Sequence, residues 1–140
     1  MKMLVAIDGS QFTQRMLDFV VKHPEMIGSA PDITLVTAVP AIPAHAARFL
    51  DRALLKSYYD EEAEAVLAPA RTAFAQAGID VKSLPLKGHP ATVISAHASS
   101  GKYDLVLMGS HGNSVLGNVV LGSVVTGVLA HCKTPVLIVR

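Results

Sequence analysis

The sequence predicts an α/β domain in which one doubly wound parallel sheet carries helices on both faces. Five short apolar runs alternate with segments of helical periodicity along the 140 residues, as they do where parallel strands are joined by helical crossovers. The runs contain few polar residues, which is typical of strands buried on both faces. Neither a repeat nor an interdomain linker is visible, so we expect a single domain over residues 1–140.

Five strands are predicted, and the third of them is expected at a sheet edge. They occupy Met3–Ile7, Ile33–Val39, Val81–Leu86, Asp104–Met108 and Val136–Val139. Pro85 interrupts the third run, and a proline within a strand belongs at an edge because it cannot donate to the ladder. The flanking Lys82 and Lys87 are charges that discourage edge-to-edge pairing.

The first helix is predicted to begin at Ser10, whose hydroxyl can cap it. It is expected to end near His23-Pro24, because proline disfavours a helical predecessor. Its apolar stripe comprises Met16, Leu17, Val20 and Val21, with Phe12 and Phe19 nearby.

A long helical region is predicted from about His45 to Ala77 and is expected to end at Gly78. Pro69 removes one backbone donor within it, so we expect a kink or break between Glu64 and Pro69. Its apolar stripe comprises Phe49, Leu50, Ala53 and Leu54, followed by Val66, Leu67, Ala70 and Phe74.

Two shorter helices complete the pattern, one starting at Pro90 and one over Val119–His131. The lead-in to the long helix, Pro40–Asp60, starts at the end of the second strand. It is either a lid over a ligand or an ordinary surface segment. Arg48 and Arg52 within it are candidates to supply positive charge to a bound anion.

Composition excludes several classes of function. The formal net charge is +1, which gives no electrostatic basis for binding nucleic acid or an anionic membrane. No apolar run is long enough to span a bilayer, and the N-terminal apolar run is too short for a signal peptide. The single Cys132 cannot form an internal disulfide. We therefore expect a cytoplasmic protein that does not bind nucleic acid or membranes.

A glycine-rich stretch follows the fourth strand and is the strongest functional signal. Two residues separate Gly109 from Gly112, and nine more separate Gly112 from Gly122-Ser123. Glycines let backbone N–H groups approach a phosphate, and a helix starting at Gly122-Ser123 adds unpaired donors and the positive end of its dipole. The alternative is that Gly109 and Gly112 only permit a tight turn.

The spacing G-x2-G-x9-G-[ST], closed by the short strand Pro135–Arg140, resembles the ATP-binding branch of the universal stress protein family. A first strand that ends in Asp8 and a Gly88-His89-Pro90 turn agree with the family pattern. The resemblance implies the adenine nucleotide alpha hydrolase-like fold with strand order 3-2-1-4-5. Ligands of such sheets bind where the strand order reverses, which is here between the first and fourth strands.

The resemblance also implies a set of binding residues. Gly109, Gly112, Gly122 and Ser123 would hold the phosphates and ribose of ATP, with ADP and AMP as alternatives. Val39 would meet the adenine through its backbone, and Asp8 would contact the nucleotide or an accompanying Mg²⁺ or Mn²⁺. The positions that would line the pocket are Met108, His111 and Val124.

Two positions depart from the family pattern. Asn113 stands where many relatives carry Arg or Lys, and Val125 stands where many carry Thr or Ser. Asp104 is the only formally charged residue from Tyr103 to Cys132. The motif therefore supplies no cationic side chain, and we expect modest affinity or a preference for a less charged nucleotide such as AMP.

No catalytic constellation accompanies the motif. The chain lacks the lysine of GxxxxGK[ST], and its six histidines show no metal-ligand spacing. Phosphoryl transfer needs a cationic clamp and a group that positions the nucleophile. We therefore expect a nucleotide-binding sensor or signalling protein, with a weak ATPase using Asp8 and a metal, or an interaction module that has lost nucleotide binding, as alternatives.

The last strand predicts a homodimer. Val136–Val139 carries no charge or proline until Arg140, and an unprotected apolar edge is normally covered or paired. Universal stress proteins are similar in pairing this strand across a two-fold axis. Protein partners other than a second copy are not indicated.

Overall fold

A computed structural model describes residues 1–113 and 120–140. The five strands form one parallel sheet of order β3-β2-β1-β4-β5. The strands are β1 (Lys2–Ala6), β2 (Asp32–Val39), β3 (Val81–Lys87), β4 (Leu105–Gly109) and β5 (Val136–Val139). The helices are α1 (Gln11–Lys22), α2 (Pro24–Ile27), α3 (Ala44–Ala47), α4 (Arg52–Gln76), α5 (Pro90–Ser100) and α6 (Ser123–His131). The predicted fold class and strand order are confirmed.

The sheet is buried between two helical layers. Successive side chains of a strand point to opposite faces, so each strand contributes to both layers. Met3 and Val5 of β1 pack on the face covered by α1 and α4. Leu4 of the same strand packs on the face covered by α5 and α6. All three are fully buried, which explains why the apolar run of β1 is uninterrupted.

The edge position predicted for the third strand is confirmed. β3 pairs only with β2 among the described strands, and the N–H of Gly88 donates to the carbonyl of Val39 at 3.0 Å. Backbone groups alternate in direction along a strand, so the nitrogen of Pro85, three residues before Gly88, faces outward. The proline therefore costs β3 no bond to β2.

An ion pair joins the edge strand β3 to its neighbour β2 near the beginnings of both strands. Lys82 Nζ lies 2.8 Å from Asp32 Oδ1, and Lys82 is the register partner of Thr34. The hydrogen bond from Lys82 lowers the pKa of the Asp32 carboxyl. Both side chains are substantially exposed, so the pair contributes little to stability.

The expected break near Pro69 does not occur, because α4 is one helix of 25 residues with Pro69 inside it. Pro69 is exposed, while Leu67 and Phe74 face the sheet. Arg71 forms two hydrogen bonds to Glu64 across the proline, at 2.6 and 3.0 Å. The interruption in the chain comes earlier, between the end of α3 and Asp51, which caps α4.

Half of the predicted apolar stripe of this region is not part of the core. Phe49 is 80% exposed and Leu54 is 57% exposed, and Leu50 and Ala53 are exposed as well. Periodicity places such residues on one helix face, but Phe49 and Leu50 lie in the turn between α3 and α4, and Ala53 and Leu54 lie in the exposed first turn of α4. Val21, predicted on the stripe of α1, is likewise exposed.

The remaining helices follow the prediction with shifted ends. Ser10 caps α1 by accepting a hydrogen bond from the N–H of Thr13, and α1 ends before Pro24, where the short α2 begins. The predicted start of the last helix at Val119 lies outside the described residues. α6 begins at Ser123, because Gly122 is its cap and has extended backbone angles.

Gly78 follows the end of α4 as predicted. Its φ of +73° is a left-handed conformation that favours glycine.

In the part of the chain that the structure describes, no helix is long and apolar enough to cross a membrane.

A matched pair of truncations tests the division between core and surface. Phe74→Ala is expected to lower the free energy of unfolding by about 3–5 kcal/mol, because it leaves a cavity in the core. Phe49→Ala is expected to change it by less than about 0.5 kcal/mol, because that ring is exposed. Urea denaturation measures both changes, and equal losses would contradict the assignment of Phe49 to the surface.

Candidate functional site

A cleft opens at the carboxyl ends of β1 and β4, where the strand order reverses. Its volume is about 1080 Å³, which is sufficient for a nucleotide-sized ligand. It is lined by Ala6, Ile7, Asp8, Thr13, Ala38, Pro40, Pro90, Ile94, Met108, Gly109, His111, Gly112, Asn113, Leu121, Gly122, Ser123, Val124, Val125, Thr126 and Gly127. Eight of the nine predicted site residues are thus brought together, and Val39 is the exception.

Asp8 is held by the first turn of α1. Its Oδ1 accepts hydrogen bonds from the N–H of Ser10 and the hydroxyl of Thr13, both at 3.0 Å. The N–H of Asp8 donates to Thr13 Oγ1 at 3.1 Å. These bonds occupy one carboxylate oxygen and orient the other, Oδ2, toward Gly112. The position of Asp8 is therefore set by the loop that joins β1 to α1.

Gly109 and Gly112 both lie where another part of the chain approaches closely. A Cβ on Gly109 would lie 2.8 Å from Cβ of Phe12, and one on Gly112 would lie 2.7 Å from Asp8 Oδ2. Among the described residues, the glycines with positive φ are Gly9, Gly28, Gly78 and Gly88. Neither motif glycine is among them, so close approach of other residues, and not a left-handed backbone, accounts for glycine at these two positions.

Gly122 joins the glycine turn to the start of α6. Its N–H donates to the carbonyl of Ser110 at 2.8 Å, and a Cβ on Gly122 would lie 3.2 Å from Cα of His111. The first backbone hydrogen bond of α6 runs from the N–H of Thr126 to the carbonyl of Gly122. The N–H groups of Ser123, Val124 and Val125 therefore have no partner within the helix and stand at the rim of the cleft.

His111 is positioned by neighbours on two sides. Its ring centroid lies 5.0 Å from that of Phe12, and its Nδ1 lies 2.9 Å from the hydroxyl oxygen of Ser110. Ser110 is itself buried, and its N–H donates to the carbonyl of Val139 in β5. The histidine is thereby linked to both α1 and the last strand.

The remaining walls are mostly apolar. Met108 and Val124, both predicted, line the cleft together with Ile94, Leu121 and Val125. The pattern of α5 gave no signal that Ile94 would reach the site, because a helix stripe does not show which residues lie at its open end. An apolar wall beside unpaired N–H groups suits a ligand with one flat apolar part and one anionic part.

Val39 lies on the other side of the sheet from the cleft. Its side chain belongs to the core layer of α1 and α4 and lines a second cavity of about 450 Å³ between α4 and the ends of β2 and β3. Ala38 and Pro40, its chain neighbours, do line the cleft. Only the backbone at Val39 is thus available to the cleft, because alternate residues face opposite ways.

The two arginines considered as sources of positive charge do not line the cleft. Arg52 lines the second cavity. The guanidinium of Arg48 lies 5.1 Å from the centre of the Phe49 ring. Neither residue is therefore placed to contact an anion held by the glycine turn.

The described residues contain no group of three or more His, Cys, Asp and Glu side chains that could hold a metal ion. Asp8 is the only formally charged residue among the described residues that line the cleft. A divalent cation at this site would have one carboxylate ligand from these residues and would need further ligands from a bound phosphate.

Two threonines of the site were not predicted. Thr13 is buried and orients Asp8. Its position three residues after Ser10, in the first turn of α1, is the feature of the sequence that could have indicated this contact. Thr126 lines the cleft and donates its hydroxyl hydrogen to the carbonyl of Gly122 at 3.0 Å. The family pattern has a hydroxyl residue at position 125, where this chain has Val125. The neighbouring Thr126 nevertheless places a hydroxyl in the cleft lining.

Comparison with known proteins gives consistent matches over the whole chain. The model of the universal stress protein family matches residues 1–140. The chain is 32% identical over 150 residues to universal stress protein YxiE of Bacillus subtilis (strain 168), covering 99% of this chain and 98% of that protein. The solved structure of hypothetical protein MJ0577 matches with a TM-score of 0.82 and 27% identity, over 99% of this chain and 94% of that chain.

A second solved structure, of a universal stress protein in complex with cAMP, is similar as well. It matches with a TM-score of 0.65 and 26% identity, over 99% of this chain and 96% of that chain.

The bonds around Asp8 predict a loss of stability when Thr13 is changed. Thr13→Val keeps the shape of the side chain but leaves the N–H of Asp8 without its acceptor, so the free energy of unfolding should fall by about 1–3 kcal/mol. Thr72→Val is the matched control, because Thr72 is exposed and bonds only its own helix, and it should change stability by less than about 0.5 kcal/mol. Urea denaturation that finds Thr13→Val as stable as wild type would contradict the role of Thr13.

Proposed function

Because this chain belongs to the universal stress protein family, we propose that its cleft binds an adenine nucleotide and that occupancy regulates the protein's interactions. The proposed activity is binding without efficient hydrolysis. The family relative in complex with cAMP supports an adenine nucleotide as the ligand class.

The observation that carries the proposal is the convergence of three elements at one point of the sheet. Asp8 after β1, the turn from Gly109 to Gly112 after β4, and the start of α6 at Ser123 all border the same cleft. In open parallel sheets this is the position at which nucleotides bind. The motif glycines give the backbone room there without a positive φ.

The phosphate end is assigned to the start of α6. The N–H groups of Ser123, Val124 and Val125 and the hydroxyl of Ser123 are the donors, and the helix dipole favours an anion in front of them. Gly122 allows this approach, since a side chain there would press on the backbone of His111. The ribose is assigned to the space between Gly109, Gly112 and Asp8.

The adenine is assigned to the apolar part of the cleft, beside the backbone of Val39. Ala38 and Pro40 line the cleft on either side of that residue. The carbonyl of Val39 already accepts a hydrogen bond from Gly88, so it offers its second lone pair. Met108 and Ile94 provide apolar surface for the ring.

Binding is favoured over turnover by the residues present. Stabilising phosphoryl transfer requires a cationic clamp on the transferring group, and no described residue that lines the cleft is Lys or Arg. ATP, the nucleotide expected from the family resemblance, would need Mg²⁺ or Mn²⁺ held by Asp8 and its own phosphates. A cytoplasmic setting is proposed with this activity, because the single Cys132 needs no oxidising compartment.

Nucleotide binding is tested by analysing the nucleotide released from purified protein and by calorimetric titration with adenine nucleotides. Gly122→Val is expected to weaken binding at least about tenfold, because its side chain would displace the turn at His111. Its free energy of unfolding should be measured in parallel, so that lost binding is separated from lost folding.

Gln76→Val is the matched control for added apolar bulk. Gln76 is exposed at the end of α4, and the variant should bind as wild type does. Failure of wild-type protein to bind any adenine nucleotide would refute the proposed function.

We also propose that β5 pairs with β5 of a second copy. Among the described strands β5 contacts only β4. The N–H groups of Val106 and Ser110 donate to the carbonyls of Pro135 and Val139. Because backbone groups alternate along a strand, those of Ile138 point away from β4. The outer side of β5 is therefore an open ladder.

Ile138→Pro is expected to give monomers, because proline removes an outward donor while leaving the bonds to β4 in place. Ser83→Pro is the control, since its nitrogen, like that of Pro85, faces outward from the opposite edge of the sheet. Sedimentation velocity measures both variants. A dimer that survives Ile138→Pro, or dissociates equally with Ser83→Pro, would contradict pairing through β5.

A further inference from the structure

The second cavity, of about 450 Å³, lies between α4 and the ends of β2 and β3. Its volume is within the range of small-molecule pockets, about 300–1,000 Å³. On the sheet side, Val39 of β2 and its register partner Lys87 of β3 line it. On the helix side, Arg52, Leu55 and Tyr59 follow one another at intervals of three and four residues, which places them on one face of α4.

The aromatic wall of this cavity is held in place by its neighbours. The hydroxyl oxygen of Tyr59 accepts a hydrogen bond from the N–H of Ile42 at 2.8 Å. The ammonium of Lys87 lies 4.4 Å from the centre of the Tyr59 ring, and the Tyr58 ring meets it edge-on at 5.4 Å between centroids. These contacts keep the half-buried ring at the wall. The space beside it is therefore formed before any ligand binds, which lowers the cost of binding.

The surface between α4 and the strand ends is largely apolar. Val39 is buried at the base of the cavity, and Leu55 and the Tyr59 ring are half-buried on the helix side. Pro85 of β3 adds an exposed apolar ring on the opposite side. Removing such surface from water is favourable, so this part of the lining suits a short alkyl chain or a ring.

The charged residues of the lining leave an excess of positive charge. Lys56 forms an ion pair with Asp60, four residues later in α4. The other two cations, Arg52 and Lys87, take part in none of the ion pairs among the described residues. Residues 114–119 contain no Asp or Glu, so they offer no carboxylate either. Two cationic side chains of this cavity are thus available to an anion.

Arg52 stands where a cation does not help its own helix. It is the first residue of α4, and the first turn of this helix contains no acidic residue. The positive end of the helix dipole disfavours a cation there. The carboxylate of Asp51, which precedes it, accepts a hydrogen bond from the N–H of Ala53. An anion bound in the cavity would offset the unfavourable position of Arg52.

We infer that the second cavity binds a small organic carboxylate with an apolar body. The apolar body lies against Val39, Leu55 and Tyr59, and the carboxylate lies at Arg52 and Lys87. A guanidinium presents paired N–H donors that match the geometry of a carboxylate. The inference does not depend on nucleotide binding, because this cavity and the cleft lie on opposite sides of the sheet.

The test is calorimetric titration of the full chain with octanoate as the probe. Octanol lacks the charge, octylammonium reverses it and acetate lacks the apolar chain. Octanoate should bind one-to-one and at least about tenfold more tightly than each of the three. Its affinity should fall as salt is added, because both cations are exposed and salt screens exposed charges.

A pair of charge variants tests the cationic part of the site. Lys87→Gln should weaken octanoate binding at least about fivefold, because it removes one of the two available cations. Lys102→Gln is the matched control, since Lys102 is exposed in the turn before β4, at the opposite end of the sheet. It should bind octanoate as wild type does.

A pair of bulk variants tests the apolar part. Leu55→Trp should weaken binding at least about tenfold, because the larger side chain occupies the cavity. Leu54→Trp adds the same bulk at the next residue, which is 57% exposed and does not line the cavity, and it should bind normally. Urea denaturation of all four variants separates lost binding from lost folding.

The position of the ligand is read from the amide resonances of isotope-labelled wild-type protein. Shifts caused by octanoate should concentrate at Leu55, Tyr59 and Lys87, and they should be small at Gly109 and Gly122. Shifts centred on the two glycines would place octanoate in the cleft and overturn the inference.

The other outcomes are equally decisive. Wild-type protein that does not bind octanoate, or that binds octanol as tightly, would overturn the inference. Equal effects of Lys87→Gln and Lys102→Gln, or of Leu55→Trp and Leu54→Trp, would overturn it as well. The proposed nucleotide binding stands or fails separately, by the titrations of wild type and Gly122→Val with adenine nucleotides.

Discussion

The site depends on the contact of two backbones at the carboxyl ends of β1 and β4. Ala6 and Met108 are register partners, so the chain leaves both strands at the same height. Gly109 can then lie against Phe12, where a side chain would be 2.8 Å from its Cβ. This contact seats α1 on the glycine turn. Asp8 and the start of α6 border one cleft, since the turns that carry them follow these two neighbouring strands.

Strand positions and the glycine site were predictable because both leave local signals. Buried parallel strands are continuous apolar runs, and a backbone that must pass close to another leaves glycines at fixed spacing. The exposure of Phe49 could not be predicted, since the helical periodicity continues through a residue at which the chain turns between α3 and α4. The break predicted at Pro69 was wrong for a related reason. The destabilisation of a helix by proline depends on whether that face is exposed to solvent and on contacts that span it, here the Glu64–Arg71 pair.

The cleft and the second cavity lie on opposite sides of the sheet at the end of β2, and they contain different polar groups. The cleft has backbone donors and apolar walls, whereas the cations Arg52 and Lys87 lie in the cavity under α4. Strand alternation enforces this division, because Ala38 and Val39 point to opposite faces of the sheet. The sheet thus separates these positive side chains from the glycine turn.

The central position of β1 also affects how the protein emerges from a ribosome. The first strand of the chain has β2 on one side and β4 on the other, and β4 begins only at Leu105. One edge of β1 can be covered once the crossover through α1 and α2 and the parallel strand β2 have been synthesised, but the other remains open until the chain has reached β4. Folding is therefore governed by a late, long-range closure, which is slow for parallel pairing and exposes an apolar edge to other nascent chains in the meantime.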